Sequence, residues 1–163
     1  MIYLLMGVSG SGKTLIGKKL SKSTDLPFYD ADDFHPQANI EKMKSGIPLN
    51  DDDRRPWLES LADHMKKWDS KGGAILGCSA LKKSYRDLLR NRSKVPVRTI
   101  YLKGSKSLIA QRLKQRTGHF FDSSLLDSQF EALEEPQRAL TVEINQKPDE
   151  IVGQILALMS PSG

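Results

Sequence analysis

Gly7-Val8-Ser9-Gly10-Ser11-Gly12-Lys13-Thr14 decides how this chain is read. The stretch satisfies G-x-x-x-x-G-K-[ST] without a mismatch. It lies between an apolar run, Ile2-Tyr3-Leu4-Leu5-Met6, and a segment of helical character over 15–20. A buried strand, a glycine-rich loop and a helix, in that order, are the context that makes the pattern a phosphate-binding loop. Glycine lets the backbone curl so that successive N–H groups face inward on phosphate oxygens. The helix N-terminus adds its partial positive charge. Lys13 is then placed for the β- and γ-phosphates of ATP, and the Thr14 hydroxyl for Mg²⁺. Gly7, Val8, Ser9, Gly10, Ser11, Gly12, Lys13 and Thr14 are therefore the expected nucleotide cradle. A flexible Gly/Ser turn would need neither the Lys-Thr pair nor the flanking elements.

The bulk properties agree with a small-molecule enzyme. At 163 residues the chain is read as one domain over 1–163, long enough to bury a core without staples. Its one cysteine, Cys78, excludes an intrachain disulfide and suits a reducing cytoplasm, so a cytoplasmic location is expected. No apolar stretch approaches the ~20 residues that span a bilayer. The N-terminal run has no basic leader before it and reads as a core strand. The net charge is +5, but the 25 Lys and Arg are spread along the chain with no dense block. Small anionic ligands are favoured over nucleic acid, and neither nucleic acid nor membrane is an expected partner.

Strands and helices alternate, which predicts an α/β fold with a five-stranded parallel sheet flanked by helices. Strands are expected over 2–6, 27–30, 74–78, 97–102 and 140–144. Helices are expected over 13–23, 36–44, 81–90, 107–116, 125–134 and 148–159, with another between the caps at 50–53 and the turn at 71–73. Trp57, Leu61, Met65 and Trp68 form the core stripe of the long third helix, and Asn50 to Asp53 supply its caps. Ile151, Ile155 and Leu158 are the expected core face of the last helix. Residues 33–70 are the expected acceptor-binding segment, and 116–125 an expected mobile lid. In doubly wound sheets ligands bind beyond the carboxyl ends of the strands, where the chemistry-bearing residues cluster.

Asp30-Ala31-Asp32-Asp33 closes strand two. Side chains alternate along a strand, so Asp30 and Asp32 are expected to share one site. Asp30 is assigned to the magnesium shell and Asp32 to the acceptor hydroxyl, as hydrogen-bond acceptor or base. Asp33 reads as a turn residue. His35, before Pro36, is a candidate substrate contact rather than a base. Arg54, Arg55, Lys82, Lys83 and Arg86 put positive charge on two loop–helix junctions. Arg54 and Arg86 are singled out because a forked guanidinium suits carboxylate or phosphate. Arg112 and Arg116 share a helix face. They lead into Gly118-His119-Phe120-Phe121, as arginines entering a lid over a transferring phosphoryl group would. Cys78, late in a buried strand, reads as structural.

These segments together resemble the gluconate kinase family of small P-loop kinases. The resemblance rests on Met6 to Thr14, on Phe34-His35-Pro36 with Asn39-Ile40-Glu41-Lys42-Met43, and on Gly46-Ile47-Pro48-Leu49-Asn50-Asp51-Asp52-Asp53-Arg54 with Pro56-Trp57-Leu58. It continues in Cys78-Ser79-Ala80-Leu81-Lys82-Lys83 with Tyr85-Arg86-Asp87, Tyr101-Leu102-Lys103-Gly104, His119-Phe120-Phe121, and Gln129-Phe130 with Leu133 and Glu135-Pro136. It implies a fold like the nucleoside monophosphate kinases and ATP-dependent phosphorylation of D-gluconate at its 6-hydroxyl. It also implies Arg54 and Arg86 on the gluconate carboxylate or the phosphates, catalytic roles for Lys13, Asp32 and Arg116, and Arg112 beside the nucleotide. His119 then joins the substrate contacts from the lid, and a homodimer is common in the family. Ala31 departs from the glycine often found between the two aspartates, and Asp33 stands where a less polar residue is expected. The alternative acceptor is another small hydroxy acid such as shikimate, and the 50–58 segment favours gluconate. A nucleotide-binding regulator without turnover would have no need of Asp32.

Overall fold

The computed structural model describes residues 1–117 and 123–159. It is a parallel sheet in the order β2-β3-β1-β4-β5, built from β1 (Ile2–Met6), β2 (Phe28–Asp30), β3 (Ala74–Gly77), β4 (Val97–Lys103) and β5 (Leu140–Glu143). The helices are α1 (Lys13–Thr24), α2 (Gln37–Lys44), α3 (Asp51–Ser70), α4 (Lys83–Ser93), α5 (Lys106–Thr117), α6 (Ser123–Ala132) and α7 (Pro148–Met159). Each element falls within a few residues of the place its periodicity indicates.

β1 explains the layering. Buried on both faces, it reads as a continuous apolar run. Ile2, Leu4 and Met6 enter one core with the α3 stripe Trp57, Leu61, Met65 and Trp68 and with Leu89 of α4. Leu5 points the other way, onto Ile16 and Leu20 of α1 and Ile151, Val152 and Ile155 of α7. Helices therefore cover both faces of the sheet. Among the described residues no helix is long and apolar enough to cross a membrane.

Three details depart from the sequence reading. Leu158 is 43% exposed, and Val152 takes its expected place in the α7 core face. Leu81 is buried but precedes α4, which starts at Lys83. The chain leaves the sheet at Asp30 and tightens into a 3₁₀ turn over Ala31–Phe34, so strand alternation does not govern Asp32.

The start of α3 is fixed by a capping box. The Asn50 side chain accepts from Asp53 N at 2.8 Å, and Asp53 Oδ2 accepts from Asn50 N at 3.0 Å. Lys42 of α2 donates to the same Asp53 carboxylate at 2.8 Å, tying two helices together at one anion. Asn50→Ala should cost about 1 kcal/mol. Urea unfolding would read this as a lower midpoint with an unchanged slope.

Candidate active site

The loop after β1 turns back at the carboxyl edge of the sheet. Gly10 and Gly12 take φ of +84° and +98°, a region that L-residues with a Cβ rarely enter. A Cβ on Gly10 would also stand 2.8 Å from Leu113 Cγ of α5. Ser11 N donates to Val8 O at 3.1 Å, and Lys13 Nζ donates to Gly7 O at 2.7 Å and Val8 O at 3.2 Å. The lysine thus closes its own loop. Burial pulls its pKa below the ordinary lysine value, while Cys78, Asp32 and Asp30 act the other way. Ser11 Oγ is buried without a protein partner among the described residues.

Thr14 Oγ1 lies 3.5 Å from Asp30 Oδ2, and Asp30 Oδ1 accepts from Asp32 N at 3.0 Å. Asp30 and Asp32 do share a site, but through this turn and not through strand alternation. Both line a cavity of about 330 Å³ together with the phosphate loop and Arg112. Although the Asp32 side chain is 84% exposed, desolvation by the protein packed about the turn, and then the charge of Asp30, raise its pKa; His35 and Lys13 oppose them.

His35 is placed by three neighbours. Its ring stacks on Trp57 at 4.3 Å between centroids, and Trp57 Nε1 donates to Ala31 O at 2.8 Å. Buried Asn39 donates one amide hydrogen to Asp53 O at 2.9 Å and faces His35 Nδ1 at 3.2 Å with the other. An amide donor on Nδ1 leaves the proton of neutral imidazole on Nε2, which faces Asp32 Oδ1 at 3.8 Å. Burial lowers the His35 pKa and keeps the ring neutral. The side chain is only 5% exposed. In this geometry His35 serves Asp32, and little of it is open to a substrate.

The two singled-out arginines part company. Arg54, half-buried at the start of α3, stands beside Tyr85 and Asp51. Arg86 is 5% exposed and donates to Ala80 O at 2.7 Å, Leu81 O at 3.1 Å and Glu134 O at 2.8 Å. Its expected place on substrate is corrected accordingly: the guanidinium is spent on main-chain carbonyls. Arg112 lines the cavity and donates to Ile144 O. Arg116 lies in the last turn of α5, but its side chain, His119 and most of the expected lid lie outside the described residues.

The sequence reading gave no site role to Asn39 or Gln129 and placed Trp57 only in the core stripe. Gln129 of α6 accepts from Ser9 N at 2.7 Å and donates to Ser9 Oγ at 2.9 Å, clamping the phosphate loop from outside. The available signal for these three residues was their presence in the stretches that carry the family resemblance, which names the residues without saying what they touch.

A family model described as shikimate kinase matches residues 9–159. A probable gluconokinase from Dictyostelium discoideum is 45% identical over 95% of this chain and 84% of its own length. The thermoresistant gluconokinase of Escherichia coli is 45% identical over 97% of this chain and 93% of its own. The crystal structure of a gluconokinase from Sinorhizobium meliloti superposes with a TM-score of 0.86 at 44% identity, covering 95% of this chain and 89% of that one. The chain belongs to the gluconokinase family.

Gluconokinases use ATP, and the loop suits a triphosphate: inward-turning backbone, a lysine at its centre, and a buried serine hydroxyl whose O–H has no protein acceptor among the described residues and can donate to a phosphate oxygen. For Mg²⁺ the fit is one hydroxyl and one carboxylate, Thr14 and Asp30. That is the sparse set this ion takes when phosphate oxygens and water complete its shell. Among the described residues no cluster of three or more His, Cys, Asp or Glu offers an all-protein cage.

A raised carboxyl pKa has a definite sign. The folded state holds the Asp32 proton more tightly than the unfolded chain, so this group costs stability as pH rises from 3.8 through its folded pKa. A ¹³C carboxyl titration of the full chain should place Asp32 above 3.8, and Asp30→Asn should lower it. A midpoint at or below 3.8 in the unsubstituted chain would contradict the site electrostatics.

Proposed function

We propose that this chain transfers the γ-phosphoryl group of ATP to the 6-hydroxyl of D-gluconate, giving 6-phospho-D-gluconate and ADP. One observation carries the reading. In a chain of the gluconokinase family, a phosphate loop, a Thr14–Asp30 pair and an Asp32 whose main-chain N–H is fixed by Asp30 and whose carboxylate faces His35 at 3.8 Å line one cleft.

The roles follow from position. The loop amides and Lys13 bind the phosphates, and Lys13 stabilises charge on the transferring group. Thr14 and Asp30 would hold Mg²⁺, which supplies further neutralisation of phosphate charge. Asp32 accepts the proton of the 6-hydroxyl as the O6–phosphorus bond forms and the bond from phosphorus to the β,γ-bridging oxygen breaks. A carboxylate with a raised pKa is the better base for an alcohol near neutrality. His35 Nε2–H orients Asp32 without adding a full positive charge. Arg112 and Arg116 are proposed beside the nucleotide, and His119 on the acceptor side. Shikimate remains the second acceptor only because the matching family model carries that description.

A coupled ADP-release assay over gluconate, shikimate, other sugar acids and nucleoside monophosphates tests the reading, with gluconate expected to give the highest kcat/KM. Lys13→Ala should lower kcat on the order of 10²–10³. Asp32→Asn should lower kcat by roughly 10²–10⁴ while ATP still binds. Wild-type turnover in either variant would remove that residue from the mechanism.

A further inference from the structure

A linear aldonate presents two distant handles: the hydroxyl to be phosphorylated at one end and a carboxylate at the other. Asp32 serves the first. With Arg86 committed to carbonyls, the second needs another seat.

The junction of α3 and α4 contains one, and it already holds a carboxylate. Tyr85 Oη donates to Asp51 Oδ1 at 2.5 Å. Lys82 Nζ lies 3.3 and 3.5 Å from the two Asp51 oxygens. Arg54 Nη1 stands 3.7 Å from Asp51 Oδ1 and donates to Tyr85 Oη at 3.3 Å. Both cations also lie over the tyrosine ring, Arg54 Cζ 5.8 Å and Lys82 Nζ 5.6 Å from its centroid. Two cations and one hydroxyl thus converge on one carboxylate. Asp53 nearby does not balance the excess, because Lys42 and the Asn50 amide already occupy it. Asp51 is 64% exposed, so its side chain can turn into water at little desolvation cost. The cluster also sits on the acceptor side. Arg54 follows Asp53, whose carbonyl accepts from the Asn39 amide that also meets His35 Nδ1, and His35 faces Asp32.

We propose that Arg54, Lys82 and Tyr85 seat the carboxylate of the sugar acid, and that Asp51 is an internal occupant which the substrate displaces. This rests on gluconate being the acceptor. It adds Lys82 and Tyr85 to the specificity-determining residues and makes Asp51 a competitor of the substrate. The seat recognises the acid, while Asp32 recognises the alcohol, so a chain with either end missing or neutral loses one anchor.

Steady-state kinetics of the full chain with gluconate and with its neutral amide, gluconamide, test both parts. Lys82→Met and Tyr85→Phe should each raise KM for gluconate about tenfold with kcat within about threefold. Each should lower the preference for gluconate over gluconamide by the same factor. Lys82→Arg, which keeps the charge, should restore most of the KM, a recovery that a purely structural role would not produce. Asp51→Asn should lower KM for gluconate several-fold, because a competing anion is gone. An unchanged KM in Lys82→Met and Tyr85→Phe overturns the seat. An unchanged or higher KM in Asp51→Asn overturns the displacement, since an aspartate that merely positions the three donors would be missed when removed. If the unsubstituted protein leaves gluconate unphosphorylated, the proposed function falls and this inference falls with it; the first two outcomes leave the function standing.

Discussion

Parallel pairing of β1 between β3 and β4 is the constraint from which the site follows. Leu5 of β1 is in register with Gly77 of β3, and Gly77 with Asp30 of β2. Three chain segments therefore leave the sheet at one level and on one edge. The phosphate loop has to turn there, and the first acidic residue past the sheet meets the first turn of α1 there. Gly77 lets the two sides close. A Cβ at that position would lie 3.0 Å from the Phe28 ring and 3.9 Å from Lys13 Cβ. Sheet register, with no contact between side chains, is what brings Thr14 to Asp30.

Crowding two carboxylates at that edge carries an electrostatic cost, and the cost has a use. Asp30, the carboxylate proposed for the metal, raises the proton affinity of Asp32, a property that would suit the proposed base for an alcohol. The same logic explains why His35 is buried. A cationic imidazole beside Asp32 would pull its pKa down and blunt it as a base. Burial, with the charge of Arg54 adding to it, lowers the pKa of the ring, and Asn39 on Nδ1 leaves its Nε2–H facing the carboxylate. Orientation is retained without the charge. Asn39 manages this because its other amide hydrogen is fixed on Asp53 O, inside the capping box that starts α3.

The fold was legible because its signals are local or periodic. The loop motif, the apolar strands and the Trp57-Leu61-Met65-Trp68 stripe each report a buried face directly. The Asn50–Asp53 cap was legible for the same reason, since both partners lie within one turn. What escaped was set by non-local geometry. Asp32 reached the site through a 3₁₀ turn that no period announces. Leu158 gave way to Val152 because α7 presents a face rotated from the one its Leu and Ile spacing suggested. Arg86 and Arg54 look alike in sequence, both at a helix start near the rim. Only tertiary structure shows that one meets carbonyls and the other a hydroxyl and a carboxylate.

That difference organises the acceptor side. Ala80 takes φ +41°, a left-handed conformation that costs an alanine roughly 1–2 kcal/mol. Its carbonyl and that of Leu81 then accept from Arg86, while Glu134 N donates to Leu81 O at 2.8 Å and Glu134 Oε1 accepts from Lys83 N at 3.0 Å. The end of α6 is thereby stapled to the beginning of α4. The same α6 carries Gln129 to Ser9 in the phosphate loop, and the same first turn of α4 carries Lys82 and Tyr85 to Asp51 and Arg54. Nucleotide loop and acceptor side are thus linked through hydrogen bonds across two helices, with a buried arginine at the joint. An arginine exposed to substrate could not hold that joint. Its burial fixes where Lys82 and Tyr85 stand, and so fixes the spacing between the charged end of an acceptor and the phosphates it must reach.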